Sequence, residues 1–218
     1  MQAYAGYLFD LDGTLIDTAP DLHAALCHCL ASHGLQAVSE QDTRHWVGHG
    51  ARAMIRHALV AQGTQEPAVA DQVEQLLPSF LDYYRQHPAD ASQPYPGVVD
   101  TLHTLRQRGA RLAVVTNKMF AMTGPILDAF HITELFDSVI GGDTAAHPKP
   151  HAAPIDLALT QLQLAPDKVL FVGDSETDVG AARAANVDVV CVPYGYNQGR
   201  DVAELKPDGV IDSFAELL

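Results

Sequence analysis

Short apolar runs rich in Val, Ile and Leu recur along this chain. Each leads into a stretch of helical character, and that alternation constrains the fold more than any other feature. The runs are residues 4–9, 111–115, 138–140, 168–172 and 187–192, with 209–211 as a further short candidate. Helical patterns at 98–108, 119–130, 151–162 and 176–185 separate them. A strand covered on both faces has no polar side to show, so it reads as a continuous apolar run. Alternation of such strands with helices predicts a parallel sheet sandwiched between helical layers. The expected fold class is α/β, a doubly wound parallel sheet.

Residues 18–91 break the pattern. They read as helices, at 19–33, 51–62 and 69–86, with no convincing strand, and the Tyr95-Pro96-Gly97 turn leads back to the alternation. The expected organisation is a core of residues 1–17 and 92–218 with an inserted all-helical cap of residues 18–91. Neither internal repeats nor low-complexity segments are present.

Parallel sheets bind ligands beyond the carboxyl ends of their strands, and four polar signals fall at those ends. Asp10-Leu11-Asp12-Gly13-Thr14-Leu15 follows the first run, with Asp17 close behind. Thr116-Asn117 follows the second, Lys149 lies in the loop beyond 138–140, and Asp174 and Asp178 follow 168–172. Two carboxylates two residues apart at a strand end can converge on one hard cation, which prefers oxygen ligands. Gly13 permits a sharp turn, and Thr14 adds a hydroxyl and a backbone donor. A cation, an aspartate and a donor-rich loop suit phosphoryl transfer, where positioning and charge neutralisation do most of the catalysis.

Composition narrows the partners. The formal net charge of −14 over 218 residues argues against a nucleic-acid surface or an anionic membrane. An anionic substrate then needs a local basic pocket, which gives weight to lysines and arginines inside the motifs. No basic segment followed by an apolar core opens the chain, and no apolar run approaches the ~20 residues that span a bilayer. Cys27, Cys29 and Cys191 suggest neither a disulfide framework nor a zinc site. A cytoplasmic location is the expectation.

Taken in order, Asp10-x-Asp12-Gly13-Thr14-Leu15-x-Asp17, Thr116-Asn117-Lys118, Lys149-Pro150 and Gly173-Asp174-Ser175-x-x-Asp178 resemble the haloacid dehalogenase-like phosphatase superfamily over essentially the whole chain. Within it, Trp46-Val47-Gly48-x-Gly50, Tyr95-Pro96-Gly97-Val98 and the run from Val192 to Asn197 are similar to the phosphoglycolate phosphatase group. Ala152 departs from the proline-rich loop common after the family's lysine, which leaves Lys149 itself intact.

The resemblance implies a Rossmann-like core and a Mg2+-dependent hydrolase of carbohydrate metabolism acting on 2-phosphoglycolate. Asp10 is the implied nucleophile, forming an aspartyl-phosphate, and Asp12 the acid and base. Thr116, Asn117 and Lys149 hold the phosphate. The metal set is Asp10, Asp12 (through its carbonyl), Asp174 and Asp178. Gly48, Gly50 and Arg52 are the cap residues expected to meet substrate. Plainer roles stand beside several of these: Asp17 as a helix cap, Asp178 as a first-turn acid, Gly48-His49-Gly50 as an interhelical turn and Arg52 as an exposed helix arginine. The expected partner is a small phosphorylated molecule, with no nucleic acid and no membrane, for a monomer or homodimer. Alternative activities are a phosphatase of another small phosphorylated acid or sugar, such as an amino-sugar 6-phosphate, a phosphomutase, or a non-catalytic binding protein on the same scaffold.

Overall fold

The computed structural model describes residues 4–218. It comprises two units: one takes the chain up to Asp17 together with Gln93–Leu218, the other Thr18–Ser92.

In the first unit the described residues form a six-stranded sheet. Its strands are β1 (Gly6–Phe9), β4 (Arg111–Val115), β5 (Ser138–Ile140), β6 (Val169–Gly173), β7 (Asp188–Cys191) and β8 (Gly209–Val210), in the order β5-β4-β1-β6-β7-β8. Every pairing is parallel, with β1 held between β4 (Phe9 opposite Val114) and β6 (Phe9 opposite Val172). The chain leaves β1 toward β4 and β5 on one side, then returns past β1 to build β6, β7 and β8 on the other. That reversal is a topological switch, and it opens a crevice at the carboxyl end of β1.

Helices α5 (Val98–Gln107), α6 (Phe120–Ala129), α7 (Ala153–Leu162) and α8 (Glu176–Ala184) connect the strands. One apolar layer joins Leu8, Ala113, Val115 and Phe171 of the sheet to Ile155, Ala158 and Leu159 of α7 and Ala181 and Ala182 of α8. Elsewhere Phe9 stacks on Phe214 and meets Phe136 edge-on, at centroid separations of 5.8 and 6.5 Å. All four residues of β1 are buried, and burying a large apolar side chain contributes roughly 1.5–3 kcal/mol. The strand that carries the first motif is thus anchored from both faces.

The alternation expected from sequence is present, with element ends shifted by one or two residues. A two-residue antiparallel pair, β2 (Ile16–Asp17) with β3 (Gln93–Pro94), was not expected; two residues carry no readable periodicity. The second unit is helical: α1 (Ala19–Ala31), α2 (Glu40–Trp46), α3 (Ala51–Ala61) and α4 (Ala68–Gln86). Helix α2 was also unforeseen, being only seven residues long; it is capped by Ser39, whose hydroxyl accepts the amide of Asp42. Buried Asp21 accepts the amides of Ala91 and Ser92 at 3.0 and 2.8 Å, tying α1 to the segment that follows α4. No helix among the described residues is long and apolar enough to cross a membrane.

Candidate active site

The carboxyl edge of the sheet gathers the sequence motifs by ladder geometry. The amide of Asp10 still donates to Val172 of β6, and that of Thr116 to Ile140 of β5, so each motif begins as a paired strand end. Beyond Asp10 the chain folds back tightly: the carbonyl of Leu11 accepts the amides of Leu15 and Ile16 at 3.0 Å. Gly13 sits at φ +86°, in the left-handed region that an L side chain resists. A Cβ there would also lie 2.5 Å from Oδ2 of Asp174. Gly13 is needed for both reasons, since the turn must bend back and let the fourth motif approach.

Three carboxylates meet in this crevice. Oxygens of Asp10, Asp174 and Asp178 lie within 4.8 Å of one another. Lys149 enters from the loop after β5, with Nζ 3.0 Å from Asp10 and 2.6 Å from Asp178, and its side chain is 1% exposed. Its ammonium also stands 5.4 Å from the ring centroid of Phe171. The backbone of Lys149 is clamped by Asn117, whose amide side chain exchanges two hydrogen bonds with the lysine amide and carbonyl. Asn117 is therefore a brace for the lysine loop. Thr116, buried, accepts the amide of Lys118 through Oγ1.

Asp178 is held from every side. One oxygen accepts Ser175 Oγ and the amides of Asp174 and Ser175, closing a capping box at the start of α8, and the other accepts Lys149. The first-turn position weighed from sequence thus coexists with an ion pair to Lys149 in one carboxylate. Asp174 accepts Thr14 Oγ1 at 2.8 Å and the amide of Tyr196. Asp17 lies in β2 rather than at the N-cap of α1, which is Thr18, and its carboxylate accepts the Tyr196 hydroxyl. Tyr194 reaches the carbonyl of Thr14, so the loop after β7 is fastened across the first motif. The Val192–Asn197 run carries a family likeness in its sequence, while its hold on Asp174 comes only from the folded loop.

The charges do not balance. Three clustered carboxylates face one buried ammonium. Burial, then the neighbouring Lys149, Asp178 and Asp12 charges, set the Asp10 carboxyl, with a net push up to about 7. Burial, reinforced by Asp178 and Asp10, also raises the Asp174 carboxyl well above the carboxylate range. Burial works against the Lys149 ammonium, but Asp10 and Asp178 outweigh it and its pKa lies above the ordinary lysine value. Excess negative charge with hard oxygen donors is what a divalent cation relieves, so the residues present fit a metal site.

Asp12 points elsewhere. Its two oxygens take Lys118 Nζ at 2.9 and 3.1 Å, a lysine to which the sequence reading gave no role although the Thr-Asn-Lys tripeptide displayed it. In the second unit Gly48 and Gly50 have φ of +115° and +84°, and a Cβ on either would meet nothing within 4 Å. The positive φ of the turn itself calls for glycine at both positions. Arg52 forms a two-pronged pair with Glu74, at 2.8 and 3.2 Å, on the exposed surface of α3 and α4.

Asp10 and Asp174 in a lysine-braced crevice, beneath a Gly-Thr turn, place the protein in a known class. Residues 7–192 match the family model described as haloacid dehalogenase-like hydrolase, and the chain belongs to that family. Among its relatives is the phosphoglycolate phosphatase of Pseudomonas putida, 43% identical over 212 residues, covering 97% of this chain and 77% of the relative. The phosphoglycolate phosphatase of Nitrosococcus oceani is 41% identical over 210 residues, covering 96% and 93%. The crystal structure of a predicted phosphoglycolate phosphatase from Haemophilus somnus superposes with a TM-score of 0.91 at 36% identity, covering 100% of this chain and 97% of that one.

Proposed function

We propose that this protein is a Mg2+-dependent phosphomonoesterase that hydrolyses 2-phosphoglycolate to glycolate and phosphate. One observation carries the reading: a near-buried aspartate at the end of the central strand, beside a buried lysine and within a cluster of carboxylates. The relatives named for phosphoglycolate support the substrate.

An anionic carboxylate attacking an anionic phosphate faces a steep encounter. Two like charges ~4 Å apart repel by about 4 kcal/mol at an effective dielectric near 20, and a dianion roughly doubles that. Lys149 sits where it can offset this, 3.0 Å from Asp10. Asp10 attacks phosphorus to form an aspartyl-phosphate, and Asp12 protonates the departing alkoxide and then accepts a proton from the hydrolytic water. Thr116 Oγ and the Leu11 and Asn117 amides receive the phosphoryl oxygens, while the Asn117 side chain holds Lys149 in place. Asp10 and Asp174 carboxylates and the Asp12 carbonyl would hold Mg2+, which neutralises phosphoryl charge when bound. Asp178, already bonded to three donors and to Lys149, acts from behind through that lysine.

Gly48, Gly50 and Arg52 of the helical unit, acting as a cap, are the proposed substrate-facing set there. Arg52 does so only by releasing Glu74. The setting is cytoplasmic, with a free small molecule as substrate and the protein a monomer or homodimer.

The test is phosphate release, with and without Mg2+, from 2-phosphoglycolate and a panel of sugar and amino-sugar phosphates. A preference of a hundredfold, about 2.7 kcal/mol, supports the assignment. Preference for a phosphosugar keeps the mechanism and overturns the substrate. No Mg2+-dependent release from any member refutes the phosphatase reading and leaves a mutase or a binding protein.

A further inference from the structure

Four lysines occur in the chain, and two of them pair with the aspartates of the first motif. Lys149 is fully engaged between Asp10 and Asp178. Lys168 pairs at the surface with Asp167, and Lys206 closes a short helical turn near the C-terminus. Lys118 remains, and its position is unusual: a side chain only 6% exposed, with its ammonium against both oxygens of Asp12. Its backbone is fixed, because the Lys118 carbonyl accepts the Gly142 amide at 2.8 Å and the next two residues start α6, where Asp143 receives the Phe120 amide.

Resting on the function proposed above, we propose that Lys118 is the specificity-determining receptor for the substrate's carboxylate. A general acid must stand within hydrogen-bond reach of the ester oxygen it protonates. In 2-phosphoglycolate a single methylene separates that ester oxygen from the carboxylate carbon. With Asp12 on the ester oxygen, a carboxylate one methylene away falls beside the group that now holds Asp12, the Lys118 ammonium. The two carboxylates have the same charge and shape, so Lys118 exchanges Asp12 for the substrate and leaves Asp12 to the ester oxygen. Released from Lys118, the Asp12 carboxylate takes a proton from solvent; the P–O bond then breaks with its electron pair going to the ester oxygen, which receives that proton from Asp12. An ester without the carboxylate offers Lys118 nothing in exchange. Lys118 then keeps Asp12, and the acid is withheld from the ester oxygen it must reach, so analogues lacking the carboxylate are turned over more slowly.

The experiment compares 2-phosphoglycolate with 2-hydroxyethyl phosphate, in which a neutral hydroxymethyl group replaces the carboxylate, using the full chain, its Lys118→Met variant and Lys118→Arg. The expected result is that Lys118→Met lowers kcat/KM for phosphoglycolate about a hundredfold and for the neutral ester by less than about fivefold, with Lys118→Arg recovering part of the preference. Turnover of the neutral ester and thermal melting report that the variant is folded, and Lys118→Gln replaces it if the Met variant unfolds. Equal losses on both esters overturn the inference, since Lys118 then serves Asp12 alone. A wild-type protein with no preference for phosphoglycolate overturns the substrate reading itself, a failure visible before any variant is made.

Discussion

Replacing Lys149 by Met removes a buried charge from the site while nearly conserving volume. The ammonium is 2.6 Å from Asp178 and 3.0 Å from Asp10, and its side chain is 1% exposed. Two opposite charges 3 Å apart attract by about 5 kcal/mol at an effective dielectric near 20. Removing one member of a buried pair typically costs about 3–5 kcal/mol, because the other is left uncompensated. Proton uptake softens that cost. The Asp10 carboxyl already lies at about 7 through burial, and Lys149 is the strongest influence holding it down. Without the lysine, Asp10 is neutral over a wider pH range and sheds its charge penalty in acid. The loss of stability should therefore be smaller at pH 6 than at pH 8, by up to about 1.4 kcal/mol per pH unit for each carboxyl involved. Urea unfolding of both proteins in EDTA at the two pH values measures it. A loss below about 1 kcal/mol, or one equal at both pH values, would refute the charge-balance argument.

Asp10→Asn should abolish turnover with an unchanged circular dichroism spectrum and melting profile; sustained full activity, with deamidation excluded by mass spectrometry, counts against Asp10 as nucleophile. Metal-free wild-type protein should lose stability as pH rises from about 4 through 7. Asp10 and Asp174 have folded-state pKa values above their unfolded ones, so the folded state binds more protons across that window. Added Mg2+ should flatten that slope in melts followed across pH, and an unchanged slope argues against a carboxylate metal site. Gly195→Ala pushes a methyl into the Asp174 side chain and should weaken Mg2+ binding at least tenfold by calorimetry, the scale on which groups orienting a metal ligand act. Arg52→Ala, which removes only an exposed pair with Glu74, should change stability by no more than about 1 kcal/mol in urea.

The sheet was legible because strands buried on both faces must be apolar throughout, and their helices must alternate with them. Where the signal was too short the reading stopped: β2, β3 and α2 hold two, two and seven residues. The catalytic candidates were legible too, since Asp10, Asp12, Asp174, Asp178 and Lys149 each follow a strand and strand ends in a parallel sheet share an edge. Sequence by itself thus determined which chemistry arrives at the crevice.

Tertiary structure alone decided how those groups pair. Whether Asp178 only caps a helix depends on where Lys149 arrives, 29 residues earlier in the chain, and Asp178 both caps α8 and pairs with that lysine. Lys118 looks like an ordinary loop lysine until the β4–α6 turn brings it against Asp12, 106 residues away. Tyr196 holds Asp174 and Asp17 from a loop whose closure no local pattern encodes. Strand periodicity is a property of neighbouring residues and survives in the sequence. Partner choice among charged side chains depends on distances of a few ångströms between distant segments, and only the folded chain contains them.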